Sequence, residues 1–155
     1  MKIAFYSILN LGYGGGFEKW VEQVASILST RGHQIIILTT KYGDNKDKII
    51  QKNLYRHSVR VFEYENYQRL FVIPTISAIR QIAKLIENID VLYFNNAFPL
   101  NELIVYLLKR SNNKNIKIIS GYHGFFPERG NLMSRLYYRV VNRSLSKKFD
   151  AFHVL

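Results

Sequence analysis

The sequence predicts an α/β fold, a doubly wound and mostly parallel sheet in a single three-layer domain, and three observations carry that prediction. Apolar runs of strand length recur along the chain, among them KIAFYSIL, QIIILTT and DVLYFNN. Stretches with helical apolar spacing separate them, and two nearly continuous apolar strands joined by a helix make a βαβ unit whose parallel strands are covered on both faces. The 155 residues, 48% of them hydrophobic, fit one ordinary domain able to fill its own core. The pattern is Rossmann-like.

Residues 2 to 9 read as the first buried strand. Residues 16 to 31 follow as a helix with Phe17, Trp20, Val21, Val24, Ile27 and Leu28 on one face and Gly32 as its stop. QIIILTT, 34 to 40, is the second strand. The polar stretch from 41 to 58 has no clean period and reads as a loop or an irregular excursion, after which VRVFEY, 59 to 64, resumes as a strand. Pro74 suits the first turn of a helix reaching to about Asn88, with Ile76, Ile79, Ile82, Ala83 and Ile86 inward and Arg80, Lys84 and Glu87 outward. DVLYFNN, 90 to 96, is the fourth strand, and residues 99 to 110 are another apolar helix. IKIISGYHG, 116 to 124, is a fifth strand with its exit loop, residues 131 to 148 are a last helix, and DAFHVL is a sixth strand. A final strand without a covering helix predicts that the natural protein continues for roughly another domain length.

Composition removes several classes. There is no cysteine, so a disulfide framework and thiolate metal sites are excluded, with a lean toward the cytoplasm. No basic region with an apolar signal core opens the chain, and no apolar run reaches the roughly 18 to 20 residues of a membrane span. The formal charge of +11 favours anionic partners: nucleic acid, acidic lipid headgroups or a phosphorylated small molecule.

Ligands of open α/β sheets sit beyond the carboxyl ends of the strands, and three loops there carry unusual residues. Gly12, Gly14, Gly15 and Gly16 can take positive φ and bring backbone N–H groups against phosphate or sugar oxygens at the positive end of a helix; a plain tight turn is the alternative. Phe17 stands where the dinucleotide fingerprint needs its third glycine, the second strand ends in Thr39 and Thr40 without a ribose-binding acid, and no GK[ST] marks a P-loop. Asn95 and Asn96 place two amides at a strand end, where they serve a polyhydroxylated ligand or cap a helix. His123 leaves the fifth strand between Gly121 and Gly124, which let other groups approach it closely. His33, His57 and His153 have no metal-ligand spacing. In the last helix Arg135, Arg139, Arg143 and Lys147 recur at i+4 opposite an apolar line of Leu132, Leu136, Val140 and Val141, either as a solvated face or as a contact for an anionic partner. NYQRLFVI, 66 to 73, adds Leu70 and Phe71, and apolar insertion joined to that basic stripe predicts contact with an anionic membrane surface.

Taken together, GYGGGFEKWVEQVASILSTRGHQIIILTT, DVLYFNNAF, IKIISGYHG and KKFDAFHVL, in this order and spacing, resemble the N-terminal domain of a GT-B glycosyltransferase of family 4. The glycine loop with Glu18, the R-G-H turn at 31 to 33 and the strand-ending Y-H-G are the most specific parts. The resemblance implies two Rossmann-like domains facing across a cleft, acceptor on the N-terminal one and nucleotide-sugar on the C-terminal one, with retention of anomeric configuration and no metal or other cofactor. The acceptor class is a glycan, lipid-linked or at the cell surface, and the expected site is cytoplasmic, either free or at the inner face of the membrane. Carried over, Gly14, Gly15 and Gly16 form the loop that approaches the donor diphosphate and sugar. His123 matches the histidine that reaches the transferred sugar, and Asn95, Asn96 and Glu18 lie on the acceptor side. The family's E-x7-E pair and its donor-phosphate cations belong to a C-terminal domain not contained in these residues. No D-x-D metal motif occurs, which argues against the other major glycosyltransferase fold.

Two rival readings remain at this level. A stand-alone nucleotide-binding Rossmann module would bind a dinucleotide tightly by itself. A basic nucleic-acid-binding domain would show salt-dependent affinity, but no stacking-and-basic motif of a nucleic-acid reader occurs, and no nucleic acid is expected as a partner.

Overall fold

The computed structural model describes residues 1–7, 15–41, 59–65, 73–95, 101–112, 115–122, 132–137, 139–140 and 143–154. In chain order the elements are β1 (Lys2–Tyr6), α1 (Gly16–Thr30), β2 (Gln34–Thr40), β3 (Val59–Tyr64), α2 (Ile76–Ile86), β4 (Val91–Asn95), α3 (Asn101–Asn112), β5 (Lys117–Tyr122), α4 (Leu132–Tyr137), α5 (Arg143–Ser146) and β6 (Ala151–Val154). The strands form one sheet in the order β3-β2-β1-β4-β5-β6, and every pair is parallel. The expected doubly wound α/β class is therefore the class observed.

Strand side chains alternate between the two faces of the sheet. Ala4, Tyr6, Ile36, Leu38, Leu92, Phe94 and Ile118 pack on one face with Ala78, Ile82 and Ile86 of α2 and Val105 and Leu108 of α3. Ile3, Phe5, Ile35, Ile37 and Tyr93 pack on the other with Val21 and Ala25 of α1. Water is excluded from both sides, which is why β1, β2 and β4 are apolar almost without interruption.

In α1 and α2 the buried line coincides only in part with the one the apolar spacing predicts: Val21, Ile82 and Ile86 are buried as expected, and Ile79 and Ala83 pack against the core. In α1 the buried residues are Glu18, Val21, Ala25 and Ser29; Phe17, Trp20, Val24 and Leu28 flank them, and Ile27 is exposed rather than inward. In α2 the buried line is Ala78, Ile82 and Ile86, and Ile76 is exposed. In α1 the small side chains of Ala25 and Ser29 lie on the line against the sheet and larger ones fill the flanks, whereas in α2 Ala78 shares that line with Ile82 and Ile86. Thr75 caps α2, its Oγ1 accepting the Ala78 N–H at 3.1 Å, so the helix starts after Pro74 instead of at it.

The single helix expected over 131–148 is divided into α4 and α5, with π-type turns at 139–140. A π turn takes more residues than an α turn, so the i+4 line of Arg135, Arg139, Arg143 and Lys147 does not continue along one helix face. Leu132, Leu136 and Val140, expected on the covered side, are exposed. The segment is fastened instead by Tyr137, whose hydroxyl donates to Glu102 Oε2 at 2.9 Å, and by Leu145, packed against the α2–α3 core.

An aromatic group ties α1 to the far strand. Trp20 stacks between Phe17, at 6.0 Å between ring centroids, and His153 of β6, at 5.4 Å, with Tyr93 at 5.1 Å. The Tyr93 hydroxyl and His153 Nδ1 share a hydrogen bond of 2.8 Å, and burial pushes the Tyr93 phenol well above its usual pKa.

At the amino edge of the sheet two aspartates join strands. Asp90, just before β4, accepts the Lys2 N–H of β1 at 2.7 Å. Asp150, just before β6, accepts the Ile118 N–H of β5 at 2.9 Å and pairs with Lys109 at 3.2 Å and Lys117 at 3.1 Å. Partial burial pushes the Asp150 carboxyl upward, but the Ile118 N–H and the two ammonium groups together outweigh it and hold the pKa below its usual value. A carboxyl lowered in the folded chain stabilises fully above the ordinary Asp pKa of about 3.9 and loses that contribution as pH falls through the folded value. Asp150→Asn should therefore cost about 1 kcal/mol near neutral pH, a typical net hydrogen-bond contribution. That difference from the unaltered chain should close at acid pH, as denaturant unfolding over a pH series will measure.

Candidate functional site

The chain lays β2 and β3 to one side of β1 and then returns to lay β4, β5 and β6 to the other. Between the carboxyl ends of β1 and β4 the order reverses, and this is where open α/β sheets bind ligands. The helix that starts beside this point is α1.

Gly15 is the N-cap of α1, at φ −68° and ψ 171°, and contributes no side-chain cap. The first intrahelical bond at this end runs from the Lys19 N–H to the Gly15 carbonyl at 3.2 Å, so the N–H groups of residues 16–18 precede the ladder and face the open end, where the helix dipole is positive. The expected positive φ is corrected at Gly15 and Gly16, while Gly12 and Gly14 lie outside the described residues. Among the described residues only Gly32 has it, at φ 83°, in the turn that ends α1. Gly15 makes room in another way: a Cβ on it would meet Glu18 Oε2, so the carboxylate would have to shift. Gly16 has open space where its Cβ would be.

Glu18 is the unexpected feature of this end. It sits in the first turn, is only 3% exposed, and its Oε1 has no hydrogen-bond partner among the described residues. One turn on, burial raises the Glu22 pKa, and the Glu18 charge raises it further.

Asn95 ends β4 and is buried, and its backbone carbonyl accepts from the side-chain amide of Asn101 at the start of α3. The Oδ1 atoms of both asparagines are buried without hydrogen-bond partners. Asn101 was not singled out from sequence; its signal is an Asn opening an apolar helix six residues after a strand-ending Asn. Tyr6 and Tyr64, at the carboxyl ends of β1 and β3, stack at 5.7 Å, and the Tyr64 hydroxyl donates to the Ser7 carbonyl at 2.9 Å. Burial holds both phenols well above their usual pKa.

The carboxyl edge thus gathers Gly15, Gly16 and Glu18 at α1 with Asn95 at β4. Gly12, Gly14, Asn96, His123, Leu70 and Phe71 lie outside the described residues; His123 directly follows Tyr122, the last residue of β5. Arg135, Arg139, Arg143 and Lys147 are exposed and belong to α4, α5 and the stretch around them. Among the described residues no three His, Asp or Glu side chains gather where a metal ion would sit, and no helix is long and apolar enough to cross a membrane.

An all-parallel sheet with a helix N-terminus at its switch point is the frame of a nucleotide-handling α/β domain. Residues 14–155 match the family described as Glycosyltransferase Family 4, and the chain belongs to that family. The crystal structure of Anabaena Alr3699/HepE in complex with UDP and glucose has a similar fold, with a TM-score of 0.62 at 16% identity over 96% of this chain and 36% of that one. The apo form of the lipopolysaccharide outer core galactosyltransferase WaaB gives 0.56 at 14% identity over 88% of this chain and 37% of that one. The chain thus spans little more than a third of the length of these two structures, and the likeness is one of fold. No curated protein matches the chain in sequence.

Because the Glu18 charge is the second cause of the raised Glu22 pKa, Glu18→Gln should bring the Glu22 pKa part of the way back toward its ordinary value, burial keeping the remainder. An NMR titration of the Glu22 side-chain carboxyl measures it. No movement would mean that Glu18 is not ionised at the mouth of the helix.

Proposed function

We propose that this chain forms the acceptor-side domain of a retaining glycosyltransferase, which moves a hexose from a nucleotide-sugar to a glycan, lipid-linked or at the cell surface, without a metal ion. The observation that carries the reading is the glycine-started helix N-terminus at the switch point, beside buried acceptor oxygens of Glu18, Asn95 and Asn101, in a chain of family 4. Unpaired N–H groups at a helix start suit a diphosphate, and buried oxygens that lack donors suit sugar hydroxyls. The complex of the Anabaena structure with UDP and glucose supports a nucleoside-diphosphate sugar as the donor class. The remaining donor contacts belong to a second domain across a cleft.

In this reading the leaving diphosphate develops charge against the first turn of α1, where fixed backbone dipoles stabilise it at no reorganisation cost. Gly14, Gly15 and Gly16 keep side chains out of its path. His123, following β5, donates a hydrogen bond to the transferred sugar or to a phosphate oxygen and, when charged, offsets the diphosphate. Glu18, Asn95 and Asn96 accept from hydroxyls and orient the acceptor.

The full-length enzyme should release nucleoside diphosphate from a nucleotide-sugar panel only when an acceptor glycan is present, in chelator as well as in its absence, with the product's anomeric configuration that of the donor. His123→Ala should lower turnover by about 10²-fold or more, the scale of losing one well-placed donor, with thermal stability nearly unchanged. A stable, fully active variant would remove the residue from the site.

Gly16 offers a sharper test, since alanine fits the protein but intrudes on whatever approaches the helix end. Gly16→Ala should leave stability equal or raise it by up to about 1 kcal/mol, while KM for the donor rises about tenfold, the equivalent of roughly 1.4 kcal/mol of binding. An unchanged KM would place the diphosphate elsewhere.

A further inference from the structure

Four polar side chains are buried where β4 and β5 run out and α3 begins. Asn95 is 6% exposed, Asn101 1%, and Glu102 and Ser120 are fully buried. The Oδ1 atoms of both asparagines and the Ser120 Oγ lack partners among the described residues, whereas Glu102 Oε2 accepts from the Tyr137 hydroxyl at 2.9 Å. Of the four, Glu102 alone is titratable, and the reaction proposed above gives it no part.

Packing does not explain a carboxyl group at this position. An apolar side chain would fill the interior without the cost of taking that group out of water. What a carboxyl oxygen adds is direction, because it fixes the partner hydroxyl, and the helix that carries it, to one place. α4 depends on that fixing. Leu132, Arg135 and Leu136 are exposed, and Tyr137 is the described α4 side chain that is half-buried. The neighbouring Asn101 donates its side-chain amide to the Asn95 carbonyl of β4. The first turn of α3 is thereby held from two directions, by β4 through Asn101 and by α4 through Glu102. A turn held in this way presents the Asn95 and Asn101 oxygens in one orientation.

We propose that Glu102 is a positioning residue: through Tyr137 it seats α4 on the first turn of α3 and so fixes the Asn95 and Asn101 oxygens for the hydroxyls of the acceptor. This rests on the acceptor role given to those oxygens above. The diphosphate is assigned to α1, on the opposite face of the sheet from α3, so loss of the bond weakens acceptor recognition and leaves nucleotide binding alone.

The test uses the full-length protein with methyl α-glucoside, methyl β-galactoside and UDP as probes. In the unaltered protein the side-chain amide NMR signals of Asn95 and Asn101 should move with at least one of the glycosides. Tyr137→Phe, which removes a single oxygen, should shift the Asn101 signal before any probe is added. It should also weaken glycoside binding about tenfold, the scale of one lost hydrogen bond, with UDP affinity unchanged. Glu102→Leu should do the same, and Glu102→Gln, whose amide oxygen still accepts from Tyr137, should keep most of the affinity. An Asn101 signal indifferent to Tyr137→Phe, or glycoside and UDP affinities that fall together, would overturn the proposal. Equal glycoside binding by Tyr137→Phe and the unaltered protein would overturn the positioning and leave the acceptor role standing. Amide signals that answer to Tyr137→Phe but to neither glycoside would remove the asparagines from the acceptor site, and the proposal with them.

Discussion

The parallel pairing of β1 with β4 is the constraint on which the rest of this domain depends. It joins the two halves of the winding, with Ile3, Ala4, Phe5 and Tyr6 opposite Val91, Leu92, Tyr93 and Phe94. Because β1 already carries β2 on its other edge, the winding reverses between β1 and β4, and the helices that follow them, α1 and α3, pack on opposite faces of the sheet. The Glu18 carboxylate, the Gly15 cap and the Asn95 amide are placed at that reversal by topology first and by local conformation second. Moving any of them would require a different sheet order.

The opposite edge is built for retention rather than recognition. Asp90 and Asp150 occupy equivalent places, one residue before β4 and one before β6, and each takes a backbone N–H from the neighbouring strand. The reciprocal bonds, Asp90 N–H to the Lys2 carbonyl and Asp150 N–H to the Ile118 carbonyl, both at 2.9 Å, complete the fastening. Charge is thus consumed at the amino edge, while the carboxyl edge keeps buried oxygens that lack donors among the described residues.

Much of the architecture was legible in the residues. Continuous apolar runs with a glycine turn and a helix between them allow few arrangements, and β2 and β3 lie at their expected bounds, while β4 begins one residue late, at Val91. Helix faces were less legible, because hydrophobicity favours large side chains while the buried lines include small ones: Ala25 and Ala78 lie on them, Ile27 and Ile76 in solvent. The division into α4 and α5 was not legible at all, since an i+4 repeat of arginines reads as a helix whether or not a π turn interrupts it. At the N-terminus of α1, the glycine run was legible but the use of its glycines was only partly so. Gly15 makes room for Glu18 and does not bend the chain through positive φ, and no pattern in one sequence announces that a carboxylate three residues on will be buried against it.

The aromatic group between α1 and β6 gives the protein an optical property of its own. Trp20 is the single tryptophan, and its indole lies against the His153 imidazole, which is in turn bonded to Tyr93. Indole emission depends on the rings and polar groups packed against it, so it changes when His153 and Tyr93 leave Trp20. Intrinsic fluorescence therefore reports, without any added dye, whether the edge strand is seated against the first helix, and a stopped-flow trace of that emission would time the arrival of β6 during refolding.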